Sequence, residues 1–201
     1  MELRRVGEHG LLVVCPDAAA VRAAYAELRA RADELGAVEV VPAARTVLLD
    51  GLADAAATQA ALTGWEPEPG AENRSGDLVE IPTRYDGPDL DEVARQWETT
   101  TADVVRTHQA TEFVVAFCGF APGFAYCTGL PETLSVRRKE APRASVPAGS
   151  VALAAEYTSV YPSSSPGGWQ LIGRTDLALW DPAAGTPALL MPGTRVRFTD
   201  A

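Results

Sequence analysis

The 201-residue chain holds two histidines, His9 and His108, and three cysteines, Cys15, Cys118 and Cys127. So few histidines exclude a multi-histidine metal centre. The cysteines are odd in number and show neither CxxC nor Cys/His zinc spacing, so no zinc site or disulfide framework is expected. Cys118 and Cys127 flank a Pro-Gly turn and read as small apolar packing residues rather than nucleophiles. Long hydrophobic runs are missing as well. The run Leu11 to Cys15 is too short for a signal peptide or a membrane span, and a cytoplasmic location is the expectation. There is no GxxxxGK[ST] and no GxGxxG after a strand, so the chain shows no nucleotide loop of its own. Positive charge is in deficit, with 17 Lys and Arg against 27 Asp and Glu and a formal net charge of −10. That balance opposes nucleic acid and anionic membranes, although a local arginine pocket for a small anion is compatible with it.

Glycine and proline are plentiful, 17 and 15 residues, and they gather with aromatics between Phe113 and Thr175. The centre reads Phe117-Cys118-Gly119-Phe120-Ala121-Pro122-Gly123-Phe124-Ala125-Tyr126. It is followed by Pro142-Arg143, Val146-Pro147-Ala148-Gly149-Ser150, Tyr161-Pro162 and Ser165-Pro166-Gly167-Gly168-Trp169, then Ile172-Gly173-Arg174-Thr175. Gly allows close backbone approach, Pro lowers the entropy of ordering a loop, and Arg offers a planar fork for an oxyanion. The composition is that of a site built from rigid loops.

In chain order, Leu3 to Val6 and Leu11 to Cys15 read as strands. A helix opened by Asp17 as N-cap follows, with Val21, Tyr25, Leu28, Ala32 and Leu35 on one face and a stop at Gly36. Strands at Val38 to Val41 and Thr46 to Leu49 and an Ala-rich helix ending at Gly64 complete an α+β N-terminal domain, residues 1–70. Trp65 to Gly76 has no apolar period and is the expected boundary. A second domain, residues 77–201, begins with a strand from Leu78 to Ile81. A capped amphipathic helix from Asp89 to Trp97 and a second helix over Thr101 to His108 follow. Short strands are predicted at Thr111 to Phe117, Val151 to Ala155, Gln170 to Ile172, Leu177 to Trp180, Ala188 to Met191 and Arg195 to Thr199. Many short strands between Gly/Pro turns indicate a mainly-β barrel or closed sandwich.

Few side chains are candidates for chemistry. His108 is the imidazole nearest the loops. It reads either as a general base or as a packing residue at a helix end. Arg143 and Arg174 suit a substrate carboxylate or phosphoryl group, or else structural ion pairs, and are expected to face one cavity. Arg138 and Lys139 read as a solvated turn. Tyr126, Tyr161 and Trp169 either wall a small pocket or form core. Ser150 and Ser163 to Ser165 supply hydroxyls without a sequence-local triad partner.

Taken together, the motifs Gly119-Phe120-x-Pro122-Gly123-Phe124-x-Tyr126, Pro142-Arg143 with Val146 to Ser150, and Tyr161-Pro162 through Thr175 resemble one family. It holds allophanate hydrolase subunit 1, the small, B-type component of bacterial ATP-dependent 5-oxoprolinase, the small half of the urea carboxylase carboxyltransferase domain, and a Kip-type inhibitor of a histidine kinase. The resemblance implies a cyclophilin-like β-barrel after the α+β domain. It also implies a heteromeric amide or lactam hydrolase formed with a larger cyclophilin-like subunit (allophanate hydrolase subunit 2, or the C-type component of 5-oxoprolinase), and ATP bound with that partner. On this reading His108, Arg143 and Arg174 are the catalytic candidates. Phe120, Pro122, Gly123, Tyr126, Ser150, Tyr161, Gly167 and Trp169 are the substrate-binding ones, and no metal is expected. The rival implied by the same family is a non-catalytic kinase inhibitor. The chain departs from the family pattern at Ala121, Ala125, Val136 and Asp176, and at Tyr157 where a Gln is usual. The last change alters both volume and hydrogen bonding.

Overall fold

The computed structural model describes residues 1–68 and 76–201, so most of the expected boundary segment lies outside the described residues. Contacts divide the chain into two units, Met1–Ser75 and Gly76–Ala201.

The first unit runs β1 (Glu2–Val6), β2 (Gly10–Val14), α1 (Ala18–Ala30), α2 (Ala32–Leu35), β3 (Glu39–Pro42), β4 (Thr46–Asp50) and α3 (Ala55–Ala61). Its four strands form one antiparallel sheet in the order β1-β2-β4-β3. Alternation puts Leu11 and Val13 of β2 opposite Leu49 and Val47 of β4, all fully buried. Val21, Ala24 and Leu28 of α1 pack into the same core, as do Leu52, Ala55 and Leu62 around α3. Each large side chain so buried contributes about 1.5–3 kcal/mol before entropy is counted. Asp17 caps α1 as its sequence suggests, its carboxylate accepting from the Ala20 amide at 2.8 Å. The single helix expected up to Gly36 is broken at Arg31, where φ −104° and ψ 10° leave the helical region. Trp65 joins this unit's core and donates its indole N–H to Glu27 at 3.1 Å.

The second unit runs β5 (Leu78–Thr83), α4 (Leu90–Gln96), α5 (Thr101–Ala110), β6 (Phe113–Cys118), β7 (Ala125–Thr128), β8 (Arg143–Val146), β9 (Ser150–Ala154), β10 (Tyr157–Val160), β11 (Ser165–Gly167), β12 (Gln170–Arg174) and β13 (Arg195–Asp200). Seven strands make one sheet, β12-β9-β10-β7-β6-β13-β5, antiparallel except for the β13–β5 pair, and β8 and β11 form a separate two-stranded sheet. The two ends of the large sheet meet. Just past β5, Arg84 exchanges both backbone hydrogen bonds with Arg174, at 2.8 and 2.9 Å. The sheet is thereby a nearly closed barrel, which leaves little open strand edge. Its interior holds Val115, Ala125, Cys127, Val151, Leu153, Val160, Ile172, Val196 and Phe198, and Val93 and Val104 of the helix pair pack against them.

Several expectations are corrected here. About half of the central stretch is strand, and β7, β8, β10 and β11 lie where loop was expected. The apolar runs at Leu177 to Trp180 and Ala188 to Met191 do not form strands. A single bridge, Trp180 to Ala188, joins them, and Pro182, Pro187 and Pro192 remove the amides a longer ladder would need. Asp89 stands at the N-cap position of α4 without capping it, because its carboxylate is engaged elsewhere.

The seam depends on Gly87, whose amide donates to the Ile172 carbonyl. A Cβ at this position would stand 2.3 Å from the Leu171 oxygen and 2.5 Å from the Gly173 nitrogen, both backbone atoms that cannot step aside. Gly87→Ala is therefore expected to destabilise the barrel by about 2 kcal/mol or more, as over-packing does. An unchanged urea midpoint would show that the seam yields.

Candidate functional site

Strand alternation decides what the barrel's outer surface offers. On β7, β9 and β10 the residues Ala125, Cys127, Val151, Leu153, Thr158 and Val160 face inward, which turns Tyr126, Ala152, Ala154, Tyr157 and Ser159 outward. Onto these mostly small outward residues pack Phe124, Val146, Tyr161, Trp169 and Leu171, a second cluster distinct from the barrel interior. Its rings interlock edge to face. Phe124 lies 5.2 Å from Tyr161 and 5.5 Å from Trp169, and Tyr126 is 5.5 Å from both Trp169 and Tyr157. Phe117 stacks on Tyr126 at 4.4 Å. Such T-shaped and offset pairs add directional preference to the burial term.

The Gly/Pro motifs hold this face. Gly123 has φ 79°, and a Cβ there would meet Trp180 Cβ at 2.8 Å. A Cβ on Gly167 would sit 2.2 Å from the Tyr161 hydroxyl. Phe120, also in the left-handed region at φ 70°, is 63% exposed at the tip of the same turn, a costly arrangement for a large side chain. Pro122 is exposed beside it. Ser150 is buried and its hydroxyl donates to the Pro147 carbonyl at 2.8 Å, tying a turn. Thus Gly123, Tyr126, Tyr161, Gly167 and Trp169 share one face, Phe120 and Pro122 stand at its edge, and Ser150 on the outward side of β9 accepts from the Tyr161 amide at 3.0 Å.

The catalytic candidates do not come together. Arg143 gives two hydrogen bonds to the Asp89 carboxylate, at 2.7 and 2.8 Å, and reaches the Trp169 carbonyl. Asp89 is 5% exposed and also binds Lys139 at 3.0 Å and the Leu171 amide at 2.7 Å. Its carboxyl titrates below the usual range: burial alone would raise it, and the hydrogen bonds from Arg143, the Leu171 amide and Lys139 together outweigh that. Arg174, at the far end of β12, pairs instead with the exposed Asp86. The two arginines answer to different carboxylates, and the expected shared anion site is not formed.

His108 lies inside the barrel with no exposed surface, between the rings of Phe113 and Phe198 at 5.0 and 4.3 Å. Its ring nitrogens contact the Tyr85 hydroxyl at 2.8 Å and Thr158 Oγ1 at 2.9 Å. Thr158 Oγ1 donates onward to the Ala152 carbonyl. Nε2–H therefore donates to Thr158, and Nδ1 accepts from Tyr85, a complete network for a neutral ring. Desolvation pulls its pKa down to about 3. A base sealed in the core cannot meet a substrate proton, so the general-base reading is corrected to a structural one. The cysteines are equally unreactive: burial pushes Cys118 up to about 11 and raises Cys15 and Cys127 as well.

One participant escaped the sequence reading. Arg138 is exposed outside any strand or helix, as a solvated turn implies, and its guanidinium also stands 5.7 Å over the Trp169 ring. The only available signal was its place four residues before Pro142. Among the described residues no group of three or more His, Cys, Asp or Glu side chains is placed to hold a metal ion.

A nearly closed barrel that carries its Gly/Pro motifs on an outer aromatic face defines a carboxyltransferase-type module. Residues 1–190 match the sequence profile of the carboxyltransferase domain, subdomain C and D, and the chain belongs to that family. Over 137 residues it is 48% identical to the B-type component of the 5-oxoprolinase of Escherichia coli O157:H7, covering 67% of this chain and 62% of the relative. Over 124 residues it is 48% identical to the protein of the same name in Bacillus subtilis, covering 60% and 52%. The chain thus spans between half and two thirds of the length of these curated relatives. It also resembles the crystal structure of TTHA0988, with a TM-score of 0.78 and 34% identity, covering 100% of this chain and 40% of that one.

Proposed function

We propose that the chain is a subunit of an ATP-dependent hydrolase acting on an amide or lactam C–N bond, of the 5-oxoprolinase type, and that it works with a larger subunit. The observation that carries this reading is the 48% identity to the B-type components of two 5-oxoprolinases. The two contact units, Met1–Ser75 and Gly76–Ala201, are read as an α+β domain and a cyclophilin-like barrel domain. The outer aromatic face of the barrel, with Tyr126, Tyr161 and Trp169 as its centre and Phe120 and Pro122 at its edge, is assigned to substrate or to the partner's contribution to the substrate site. His108 receives no chemical role, and Arg143 serves to order Asp89 and β12.

The residues here do not fit a triphosphate. Among the described residues of Gly76–Ala201, nearly every cation is already committed to a carboxylate, and no phosphate-cradling loop occurs in the sequence. ATP is therefore assigned to the larger partner and no step is derived through it. No helix among the described residues is long and apolar enough to cross a membrane, and we place the complex in the cytoplasm.

The test is turnover. The chain, co-purified with its larger partner and any further subunit that accompanies them, is expected to hydrolyse ATP faster when 5-oxoproline is added, and the chain alone is expected to be inactive. An intact complex that shows no substrate-stimulated hydrolysis, together with tight binding of the chain to a histidine kinase, would transfer the assignment to the kinase-inhibitor reading.

A further inference from the structure

We propose that Arg138, held over the Trp169 ring on which Tyr126 packs, forms a subsite that binds the carboxylate of a small planar amide or lactam. The proposal rests on the function proposed above for the choice of ligand class, and on four independent features of the structure for the site.

The first is charge. Among the described residues of Gly76–Ala201, every lysine and arginine other than Arg137 and Arg138 is held in an ion pair. In a chain of net charge −10, an arginine without a carboxylate beside a buried aromatic cluster is the exception, and it keeps its planar fork for an external oxyanion.

The second is orientation. Trp169 is 4% exposed and is fixed by edge-to-face contacts with Phe124 and Tyr126, so the guanidinium above it rests on a rigid platform. Cation–π contact of this kind favours one placement of an otherwise flexible side chain and lowers the entropy lost on binding an anion.

The third is the ring of phenols. The Tyr161 hydroxyl feels Arg138, Arg143 and Tyr126 electrostatically and accepts from the Trp169 amide, so it belongs to the platform. Tyr126 and Tyr157 are part-exposed and meet at right angles, 5.5 Å apart. Burial first, and then Glu156, whose carboxylate accepts from its hydroxyl, push Tyr157 up to about 12, so Tyr157 serves as a wall of the site and Tyr126 as its phenol donor. Phenol donors suit an amide carbonyl, and the ring faces suit the flat amide plane.

The fourth is Ser159. Its hydroxyl is buried and has no hydrogen-bond partner, and alternation on β10 places it on the outward side, two residues along from Tyr157. A buried hydroxyl left unpaired costs about 1–3 kcal/mol, and on the outward side of the barrel it offers a polar contact to a ligand bound there. A cation, flat walls and hydroxyl donors on one face match a compact molecule that combines a planar amide with a carboxylate.

The experiment follows the indole signals of the four tryptophans of the full chain by proton–nitrogen NMR during titration with 5-oxoproline, with pyrrolidin-2-one, and with inorganic phosphate. Pyrrolidin-2-one is the same lactam ring without the carboxylate. Saturable movement of the Trp169 signal is expected with 5-oxoproline, with binding about tenfold or more weaker for both other probes. Arg138→Gln is expected to weaken 5-oxoproline by a similar factor without moving the urea midpoint, Arg138→Lys to recover part of it, and Arg137→Gln to leave it unchanged. Absence of saturable movement in the unaltered chain overturns the proposal. So does equal affinity for pyrrolidin-2-one, equal affinity for inorganic phosphate, or indifference to Arg138→Gln. Turnover by the complex with a KM for 5-oxoproline that Arg138→Gln does not change would sink the subsite and leave the hydrolase reading standing. Binding at Trp169 without turnover by the complex would do the reverse.

Discussion

Lowering the pH from 7 to 4 is expected to remove on the order of 3 kcal/mol from the stability of the barrel unit, and His108→Gln to remove most of that dependence. The ring is neutral in the fold, with a pKa near 3 because burial disfavours the imidazolium, and it titrates near 6.5 once unfolded. A depressed histidine means that the unfolded chain binds the extra proton. Stability from this source is therefore complete above about pH 6.5 and is lost as the pH falls from there toward 3. Carboxylates such as Asp89 also weaken the fold in acid, but they are held below their ordinary range and act at the lower end of the window. Gln can accept from Tyr85 and donate to Thr158 without titrating. Urea unfolding followed by tryptophan fluorescence at pH 7, 5.5 and 4 measures the slope. Parallel profiles for the two proteins would show that His108 is not its origin.

Asp89→Ala is expected to cost about 3–5 kcal/mol at neutral pH, which is more than most single substitutions. The carboxylate is nearly sealed and joins Arg143, Lys139 and the Leu171 amide, so its removal strands a part-buried guanidinium and a strand amide together. Replacing both partners of a buried pair is less harmful than replacing one. The double variant Asp89→Ala with Arg143→Met is accordingly expected to be less destabilised than the sum of the single variants, by about 1 kcal/mol or more. A loss below about 1 kcal/mol for Asp89→Ala alone would mean that the pair is exposed enough to be screened. Chemical denaturation of the four proteins of the cycle decides it.

Both predictions concern residues whose roles the sequence showed only in outline. The α1 cap at Asp17, the β2 and β4 alternation and the β13 strand were all legible, because a local carboxylate or a period of two carries that information by itself. Strands β7 and β10 were not. Ala125–Thr128 and Tyr157–Val160 alternate small inward groups with outward tyrosines, but the glycines, prolines and aromatics around them signal loop. Conversely, Leu177 to Trp180 and Ala188 to Met191 have strand composition and no strand ladder. For His108 the signal existed: Val104 and His108 are four apart on the buried face of α5, the spacing of a core stripe. The arginines were least readable, since an ion pair depends on which segment lies alongside. Asp86 and Asp89 come beside β12 only when the barrel closes, and closure sends Arg174 to one and Arg143 to the other.

The position of β13 has a bearing on how the molecule is made. This strand, Arg195–Asp200, lies between β5 and β6, pairing with β5 over six residues and with β6 on its other side. A growing chain that has delivered everything from Gly76 through the aromatic motifs still lacks the strand that joins the first two of the barrel. Until β13 emerges, β5 and β6 each present an unpaired edge, the kind of surface that recruits other chains. Joining them is a long-range step that local hairpins cannot replace, and such steps are slow. The barrel's earliest strands are therefore its last to be sealed, and that interval is when a chaperone has most to protect.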